Sequence, residues 1–348
     1  MKILLCHPGA IWSVADVFNG YHGALMRAGH TVVDYALSGR IVTAGSWLGY
    51  SWKRSGLPVE RKPTQRDVLY LAGQGLLERA LRHQVDWVLI ISAMYLQGEV
   101  LMLMRRAGIR LAAIMTESPY DDKNQKVVAG MLDCVFTNER TSVETFREAC
   151  PSAHYLAHAY DPKVHCPQAM SVDAADHDVV FVGTGFSERI NMLRAVDWDG
   201  IDLGLYGNWM LLGSRNRLRK HLQAGIVPNE QTAALYRRAK IGLNIHRTSE
   251  AYGRETSHSN GAESVNPRVV ELAACETFCL SDWRAEMGDL FGDYVPRFTD
   301  GASLQEAIGV YLDDPEARAR VARQMREDIQ GHTFDAGAKQ VVKALEAT

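Results

Sequence analysis

Apolar residues along the first half of the chain alternate between short continuous runs and helical spacing. The runs Lys2–His7, Trp87–Ser92 and Arg110–Met115 have the length of buried strands, whereas Val14–Arg27 carries apolar residues at the spacing of an amphipathic helix. Strands that alternate with helices favour parallel pairing with right-handed crossovers. Residues 1–165 are therefore predicted to form an open, doubly wound domain whose functional edge lies at the carboxyl ends of its strands.

A second run of alternating strands and helices follows residues 166–177, which show neither period and are predicted to be a linker. We expect a second doubly wound domain over 166–348. Its last helix, 335–348, could pack either on this domain or back on the first one. The strands and helices predicted in the first part of this domain are Asp178–Val182, 187–196, Ile201–Tyr206, Gln231–Ala239, Ile241–Ile245 and Pro267–Ala274.

Residues 38–66 fit neither period and are predicted to be a long loop, which inside a compact domain is either functional or disordered. The stretch holds six basic residues against one acid, Glu60, and Trp47, Tyr50 and Trp52 lie among them. Cations that neutralise phosphates and rings that stack on bases suit nucleic acid. The same rings also stack on sugars. The stretch could therefore bind a saccharide, a peptide or a small molecule instead of nucleic acid.

The composition changes this picture mainly by exclusion. A chain of 348 residues with 47% hydrophobic and 23% charged residues is a globular protein of about two domains, which excludes disorder, collagen and coiled coil. No apolar run has the length of a membrane span or a secretory signal. The six cysteines form no C-x-x-C pair, so we expect reduced core thiols and a cytoplasmic location.

The first candidate for chemistry is the turn Gly183-Thr184-Gly185, which follows a predicted strand and opens a helix that carries Arg189. Glycines let the backbone approach a phosphate, a helix N-terminus offers unpaired N–H groups, and arginine adds a bidentate donor. A dinucleotide-binding fingerprint requires a third glycine where Glu188 stands, so NAD is discounted. A plain tight turn is the alternative interpretation.

The second candidate is a pair of carboxylates, Glu263 and Glu271, separated by seven residues. Pro267 suits the first helical turn, so Asn266 is predicted to be the N-cap and Glu271 to lie on the first turn of the helix. Both carboxylates would then face one cleft, one toward ribose hydroxyls and the other toward a sugar. Two glutamates at this spacing also arise by chance.

Three segments in order, Phe181–Arg189, Tyr236–Arg247 and Glu263–Asp282, resemble the nucleotide-sugar region of GT-B glycosyltransferases. They are most similar to the family of the spore maturation protein CgeB. The resemblance covers residues 178–340 well and is only general over 1–165. Glu276 stands where that family has a glycine, which is a departure in the turn after the helix.

The resemblance implies a GT-B enzyme of the α/β class, with two Rossmann-like domains facing a central cleft and the donor in the C-terminal domain. By the same comparison Glu271 holds the ribose, Glu263 faces the donor sugar, and Asn266 and Arg268 lie near the phosphates. The intact pair of glutamates favours retention of configuration. No metal ion or other cofactor is expected.

The candidate residues are grouped by role. The predicted catalytic residues are Glu263, His246 and Glu117. The predicted donor-binding residues are Gly183, Gly185, Arg189, Asn244, Arg247, Asn266, Arg268 and Glu271. The predicted acceptor-binding residues are His7, Trp47, Trp52, Lys53 and Arg54.

The sequence thus predicts transfer of a sugar from a nucleoside-diphosphate sugar, preferably a UDP-sugar, to an unidentified acceptor. A hydroxylated base in DNA, extruded into the cleft, is one option for that acceptor. The alternatives are a nucleotide-sugar epimerase and a non-catalytic nucleic-acid-binding protein. The net charge of −3 argues against the last.

Overall fold

The structure is a computed structural model that describes residues 1–9, 14–167, 175–223, 225, 227–248 and 261–348. It divides into two compact units, Met1–Ala157 with Phe334–Thr348, and His158–Thr333. The first unit ends at Ala157 rather than at residue 165, and it includes the last helix of the chain. Each unit is built on its own parallel sheet, so the predicted α/β class with two doubly wound, Rossmann-like domains is confirmed.

The first unit contains a six-stranded parallel sheet with the strand order β2-β1-β3-β4-β5-β6. Since β2 lies on one side of β1 and all later strands on the other, the strand order reverses between β1 and β3. In open α/β sheets ligands bind at such a reversal, beside the carboxyl ends of the strands. The strands are β1 (Lys2–His7), β2 (Thr31–Ala36), β3 (Trp87–Ile91), β4 (Arg110–Met115), β5 (Cys134–Thr137) and β6 (Ala153–Tyr155).

Helices cover this sheet, and the last helix of the chain is one of them. A Cβ atom at Gly20 would lie 2.2 Å from the ring of Phe334, so the glycine allows the first and last helices to pack closely. Arg27 and Asp335 form an ion pair at 2.8 Å across the same contact. The helices are α1 (Ala15–Arg27), α2 (Leu37–Ser55), α3 (Gln65–His83), α4 (Gly98–Arg106), α5 (Asp122–Ala129), α6 (Val143–Arg147) and, at the end of the chain, α13 (Phe334–Ala347).

The predicted loop over 38–66 is wrong, because most of it is the 19-residue helix α2. Leu37 and Ala44 are buried at helical spacing, and α2 packs against α3. Gly56, with a φ of 65°, ends the helix in the left-handed conformation that glycine adopts without strain. The glycines and aromatic residues on the outer face of α2 disguise its helical period in the sequence.

The second unit contains a four-stranded parallel sheet with the order β10-β9-β7-β8, which reverses between β7 and β9. Its strands are β7 (His177–Val182), β8 (Leu203–Tyr206), β9 (Ala239–Asn244) and β10 (Cys279–Ser281). Its helices are α7 (Ser187–Arg194), α8 (Asn229–Arg237), α9 (Pro267–Ala274), α10 (Ala285–Phe291), α11 (Gly301–Asp313) and α12 (Pro315–Asp328). Every element predicted in this unit is present, with ends shifted by up to two residues, and part of the predicted linker, 168–174, lies outside the described residues.

Within the described part of the chain, no helix is both long and apolar enough to cross a membrane. All six cysteines belong to that part and each is free. Five of them are buried and Cys166 is half-buried. Free thiols in the core are what the absence of a C-x-x-C pair predicted.

Candidate functional site

Two glycine turns meet at the carboxyl ends of β7 and β8. Gly183 follows β7 with a φ of 156°, and its N–H donates to the carbonyl of Tyr206 at 2.9 Å. Gly207 has a φ of 109°, and a Cβ atom there would lie 2.3 Å from the Gly183 carbonyl oxygen. Only glycine permits these conformations and this approach, so the backbone itself is exposed to the space at the strand ends.

Beside these turns lies a cavity of about 560 Å³, bounded by Gly207, Trp209, Leu222, Gly225 and their neighbours. Trp209 is buried, and its indole Nε1–H donates to the Tyr206 carbonyl at 3.2 Å. A Cβ atom at the predicted donor residue Gly185 would lie 2.2 Å from the Trp209 ring. The volume is within the range typical of small-molecule sites.

Arg189 is buried and connects the glycine turn to the end of β9. Its Nε–H donates to the carbonyl of Ile245 and an Nη1–H to the carbonyl of Thr184, each at 2.9 Å. The guanidinium carbon also lies 5.1 Å from the centre of the Phe186 ring. Arg189 therefore fixes the shape of the turn, and its contact with a donor phosphate stays a prediction.

Arg268, on α9, places a buried positive charge where the strand order of the second sheet reverses. Its Nε–H donates to the carbonyl of Val182 and an Nη1–H to the Asn244 Oδ1 atom, both at 2.8 Å. Its Nη2 atom lies against Gly183, where a Cβ atom would approach it to 2.3 Å. The cation is thus held directly beside the exposed backbone of the first glycine turn.

Asn244 and Asn266 complete this network. The fully buried Asn244 accepts from Asn266 Nδ2 through its Oδ1 atom at 2.8 Å and donates through Nδ2 to Ser281 Oγ at 2.8 Å. Asn266 also accepts from the Val269 N–H at 3.3 Å, and Pro267 follows it at the first helical position. The predicted N-cap is confirmed, and three predicted donor-binding residues share one hydrogen-bond network.

His246 forms a buried pair with Asp282, which follows β10. The His246 N–H and Nδ1 both contact the Asp282 carboxylate, at 3.0 and 2.5 Å. Burial lowers the pKa of His246, although the carboxylate acts to raise it. Burial acts to raise the pKa of Asp282, but the contacts with His246 outweigh it and hold that pKa below its usual value. The pair therefore orients the imidazole ring through Nδ1.

A second histidine, His158, is electrostatically coupled to this pair. Burial, with a smaller contribution from His246, lowers the pKa of His158 to about 4. At neutral pH His158 is therefore an uncharged group near His246. Neither His158 nor Asp282 was a candidate in the sequence: His158 lies outside the segments that carry the resemblance, and Asp282 ends one of them without a predicted role.

Glu271 is the fifth residue of α9, so it lies on the second turn rather than on the first. Burial raises the pKa of its carboxyl to about 7, although the charge on Arg268 acts to lower it. The hydroxyl of Tyr236 donates to Glu271 Oε2 at 3.5 Å. Near neutral pH this carboxyl is present in both protonation states and can accept or donate a hydrogen bond.

The half-buried Glu263 lies on the loop that precedes α9, as predicted. Its carbonyl accepts from the Glu286 N–H at 2.9 Å, and the Glu286 carboxylate accepts from the Val265 N–H at 2.7 Å. The buried Glu286 therefore fixes the backbone at the predicted catalytic residue and two residues after it. Sequence reasoning missed Glu286, because only the fold brings α10 to this loop.

Arg284 holds the same loop to the predicted donor residue Arg247. Its Nη1 donates to the carbonyl of Ala262 at 2.6 Å and its Nη2 to the carbonyl of Arg247 at 2.8 Å. The Arg247 guanidinium carbon lies 5.0 Å from the centre of the Phe186 ring. Arg247 thus lies beside the turn that Arg189 shapes, and Arg284 was another residue without a sequence signal.

In the first unit, His7 and Glu117 follow different strands of one sheet. His7 ends β1, its ring stacks on Phe18 with centroids 3.6 Å apart, and its buried Nδ1 atom has no hydrogen-bond partner. Burial lowers the pKa of His7, against the charge of Asp34. Glu117 follows β4, and β3 lies between β1 and β4. Both residues lie at the carboxyl edge of the sheet.

The other predicted acceptor residues lie on α2 rather than on a loop. Trp47, Lys53 and Arg54 are exposed on the helix. Trp52 is half-buried, its Nε1–H donates to the Pro58 carbonyl at 3.4 Å, and Lys62 lies 5.8 Å from its ring. Trp52 therefore supports the turn after α2, and the others form an outward surface.

The described residues contain no cluster of three or more His, Cys, Asp or Glu side chains arranged to hold a metal ion. The groups that can attract an anionic ligand are instead the arginines beside the glycine turns of the second sheet. Their arrangement, a buried cation and exposed backbone beside a cavity at the strand reversal, suits a phosphorylated small molecule.

Comparisons with known proteins agree with this arrangement. Residues 189–343 match the model of a family described as glycosyl transferase-like. The chain is also similar to the spore protein CgeB of Bacillus subtilis (strain 168), with 22% identity over 260 residues that cover 72% of this chain and 80% of CgeB.

Two solved structures share the fold over nearly their whole length. Sucrose-phosphate synthase from Thermosynechococcus elongatus aligns with a TM-score of 0.68 at 15% identity, covering 99% of this chain and 98% of that one. Anabaena HepE in complex with UDP-glucose aligns with a TM-score of 0.65 at 14% identity, over 100% of both chains. The predicted class, a glycosyltransferase enzyme with the GT-B fold that is similar to CgeB, is confirmed.

Proposed function

We propose that this chain transfers a sugar from a nucleoside-diphosphate sugar to an acceptor and binds that donor at the carboxyl edge of its second sheet. The observation that carries the proposal is the network of Arg268, Asn244 and Asn266 beside the Gly183 turn. It holds a cation and exposed backbone at the strand reversal, where α/β sheets bind nucleotides.

The diphosphate is proposed to lie beside Gly183 and Arg268, and the nucleoside to occupy the cavity next to Trp209. Glu271 then accepts or donates a hydrogen bond at a ribose hydroxyl. A uridine nucleotide is favoured because HepE, which shares the fold, is a complex with UDP-glucose. No metal ion is proposed, because the Arg268 cation beside the Gly183 turn can balance the charge of the phosphates.

Cleavage of the bond between the anomeric carbon and the diphosphate develops negative charge on the leaving group and positive charge on the sugar. Arg268, Arg247 and Arg189 are proposed to stabilise the first charge, and the Glu263 carboxylate the second. Arg284 and Glu286 hold Glu263 in position before the reaction. We propose retention of configuration, which rests on the pair Glu263 and Glu271 alone.

His246 is proposed to donate or accept a hydrogen bond at the donor sugar, with its ring oriented by Asp282. The acceptor is proposed to bind at the carboxyl edge of the first sheet, where His7 and Glu117 lie. A hydroxylated DNA base is one acceptor among others, and a cytoplasmic location is proposed from the free thiols.

The test is a thermal-shift screen with UDP-glucose, UDP-N-acetylglucosamine, GDP-mannose and dTDP-glucose. A ligand at 100 times its Kd adds about 2.7 kcal/mol to the free energy of unfolding. Glu271→Gln should weaken this shift, whereas the matched variant Glu276→Gln, in the turn after α9, should leave it unchanged.

Product analysis with donor alone then separates transfer from epimerisation. A transferase leaves the sugar's stereochemistry unchanged without an acceptor, whereas an epimerase converts the nucleotide sugar itself. If none of the nucleotide sugars stabilises the chain, the proposed donor site is wrong.

A further inference from the structure

The outer side of α2 and the turn after it expose large apolar side chains. Val42, Trp47, Tyr50 and Val59 are 69%, 67%, 60% and 75% exposed, and Leu57 is 46% exposed. Single exposed apolar residues are normal on protein surfaces, but five within residues 42–59 form a patch, and such patches mark interaction sites. We call residues 42–62 the α2 surface.

The fold turns this surface outward. Leu37 and Ala44 are buried on the inner side of α2, where the helix packs against α3. Trp47, Tyr50 and Arg54 are spaced by three and four residues, so they share one face of the helix, and all three are exposed. The Arg54 guanidinium donates to the Tyr50 hydroxyl at 2.8 Å, which places a cation at the edge of the aromatic pair.

The charge of the α2 surface is almost entirely positive. Lys53, Arg54, Arg61 and Lys62 are exposed, and Glu60 is the only acidic residue in 38–66. This charge is complementary to an anionic partner, in a chain whose net charge is −3. The proposed donor site, at the carboxyl edge of the second sheet, includes none of these exposed apolar residues.

The aliphatic residues decide which anionic partner fits. Val42, Leu57 and Val59 have no flat face to stack on a nucleic-acid base, so a nucleic acid would leave them in water. A bilayer interface accepts aliphatic side chains at the acyl boundary, Trp and Tyr at the headgroups, and Lys and Arg against anionic lipids. We infer that the α2 surface docks this protein on the face of a bilayer that contains anionic lipids.

The test is sedimentation of the full chain with vesicles of phosphatidylcholine and phosphatidylglycerol, compared with vesicles of phosphatidylcholine alone. The double variant Lys53→Glu/Arg54→Glu should lower partition to the anionic vesicles by at least about tenfold. The matched double variant Arg320→Glu/Arg323→Glu, which makes the same charge change at exposed positions of α12, should change it less than about twofold.

The apolar contribution is tested separately. Val42→Ser/Val59→Ser should lower partition severalfold, because both side chains enter the interface. Val127→Ser/Val310→Ser replaces two exposed valines on other helices and should leave partition unchanged. Thermal unfolding of each variant checks that its fold is intact, and a donor-binding shift that survives in the Lys53→Glu/Arg54→Glu variant separates this inference from the proposed function.

Three results overturn the inference: no partition to anionic vesicles, equal partition to both vesicle types, or equal losses in the test and control variants. A fluorescence anisotropy titration with duplex DNA tests the alternative partner, a nucleic acid. If the chain binds DNA in a Lys53- and Arg54-dependent manner and ignores vesicles, the surface is a nucleic-acid site instead.

Discussion

The carboxyl edges of the two sheets differ in how completely their polar groups are paired. In the second unit, Asn244 and Arg268 bond to each other and to their surroundings, and His246 bonds to Asp282. At the first edge the buried Nδ1 atom of His7, at the end of β1, and the buried Oγ1 atom of Thr116, directly after β4, have no partner. A buried polar group without a partner costs about 1–3 kcal/mol.

The polar side chains of the second edge are therefore held in place by the protein itself, whereas some of those at the first edge are not. The edge of the second sheet, the proposed donor site, is preorganised, because its side chains are fixed by one another before any ligand arrives. The first edge keeps polar atoms whose desolvation is uncompensated, as is expected where a ligand supplies the missing partners. Removing a polar side chain should therefore destabilise the second unit and cost the first unit little.

The largest expected effect is that of Arg268→Ala. The variant loses two hydrogen bonds from a buried cation, so the free energy of unfolding should fall by about 3–5 kcal/mol. Urea unfolding measures this change. Arg326→Ala, whose exposed side chain contacts Glu276 at 3.4 Å, is the matched control and should lose less than about 1 kcal/mol. Similar losses in both would show that the donor edge is not specially organised.

Glu271 should make the stability of the protein depend on pH. Its pKa rises from 4.5 to about 7 on folding, so its stabilising contribution is complete below pH 4.5 and is lost as the pH rises through 7. The difference in free energy of unfolding between wild type and Glu271→Gln should fall by about 3 kcal/mol across that window. Chemical unfolding at several pH values measures it, with Glu276→Gln as the control. A flat difference would mean that the carboxyl is not buried.

His7→Phe should change the free energy of unfolding little, whereas His246→Phe should lower it clearly. His7→Phe keeps a ring against Phe18 and removes an unpartnered Nδ1 atom, so stability should stay within about 1 kcal/mol of wild type. His246→Phe removes the side-chain partner of the buried Asp282 carboxylate, leaving only the backbone N–H of residue 246, and should cost at least about 2 kcal/mol. Thermal unfolding compares the two. A large loss for His7→Phe would contradict the contrast between the edges.

The smallest expected effect is at Glu276, where a non-glycine residue has a φ of 56°. Glu276→Gly removes the left-handed strain but also the contact with Arg326, so stability should change by no more than about 1 kcal/mol. Calorimetry measures it. A large loss would mean that the turn after α9 depends on the side chain rather than on its backbone conformation.

Local signals in the sequence predicted α9 correctly. Asn266 as the cap and Pro267 at the first helical position specify where the helix begins, because both act within one turn of chain. The strands of both sheets were equally predictable, since parallel strands buried on both faces are continuous apolar runs. The conformation of the turn after α9 was not predicted, because Glu276 stands where the CgeB-like family has a glycine; in the structure Glu276 adopts the left-handed conformation, with a φ of 56°.

The tertiary structure alone decided the partners of the site. Asp282 contacts His246, 36 residues away in the sequence, and Glu286 contacts Val265, 21 residues away. Both contacts form because β9 pairs with β10 and α10 follows β10. It also decided that residues 37–55 form a helix, since the buried face of α2 exists only against α3. The sequence by itself determined most of the other elements and the α/β class, through short-range propensity and periodicity. Contacts between distant residues, and the burial that shifts the pKa of Glu271 and His246, exist only after the chain has folded.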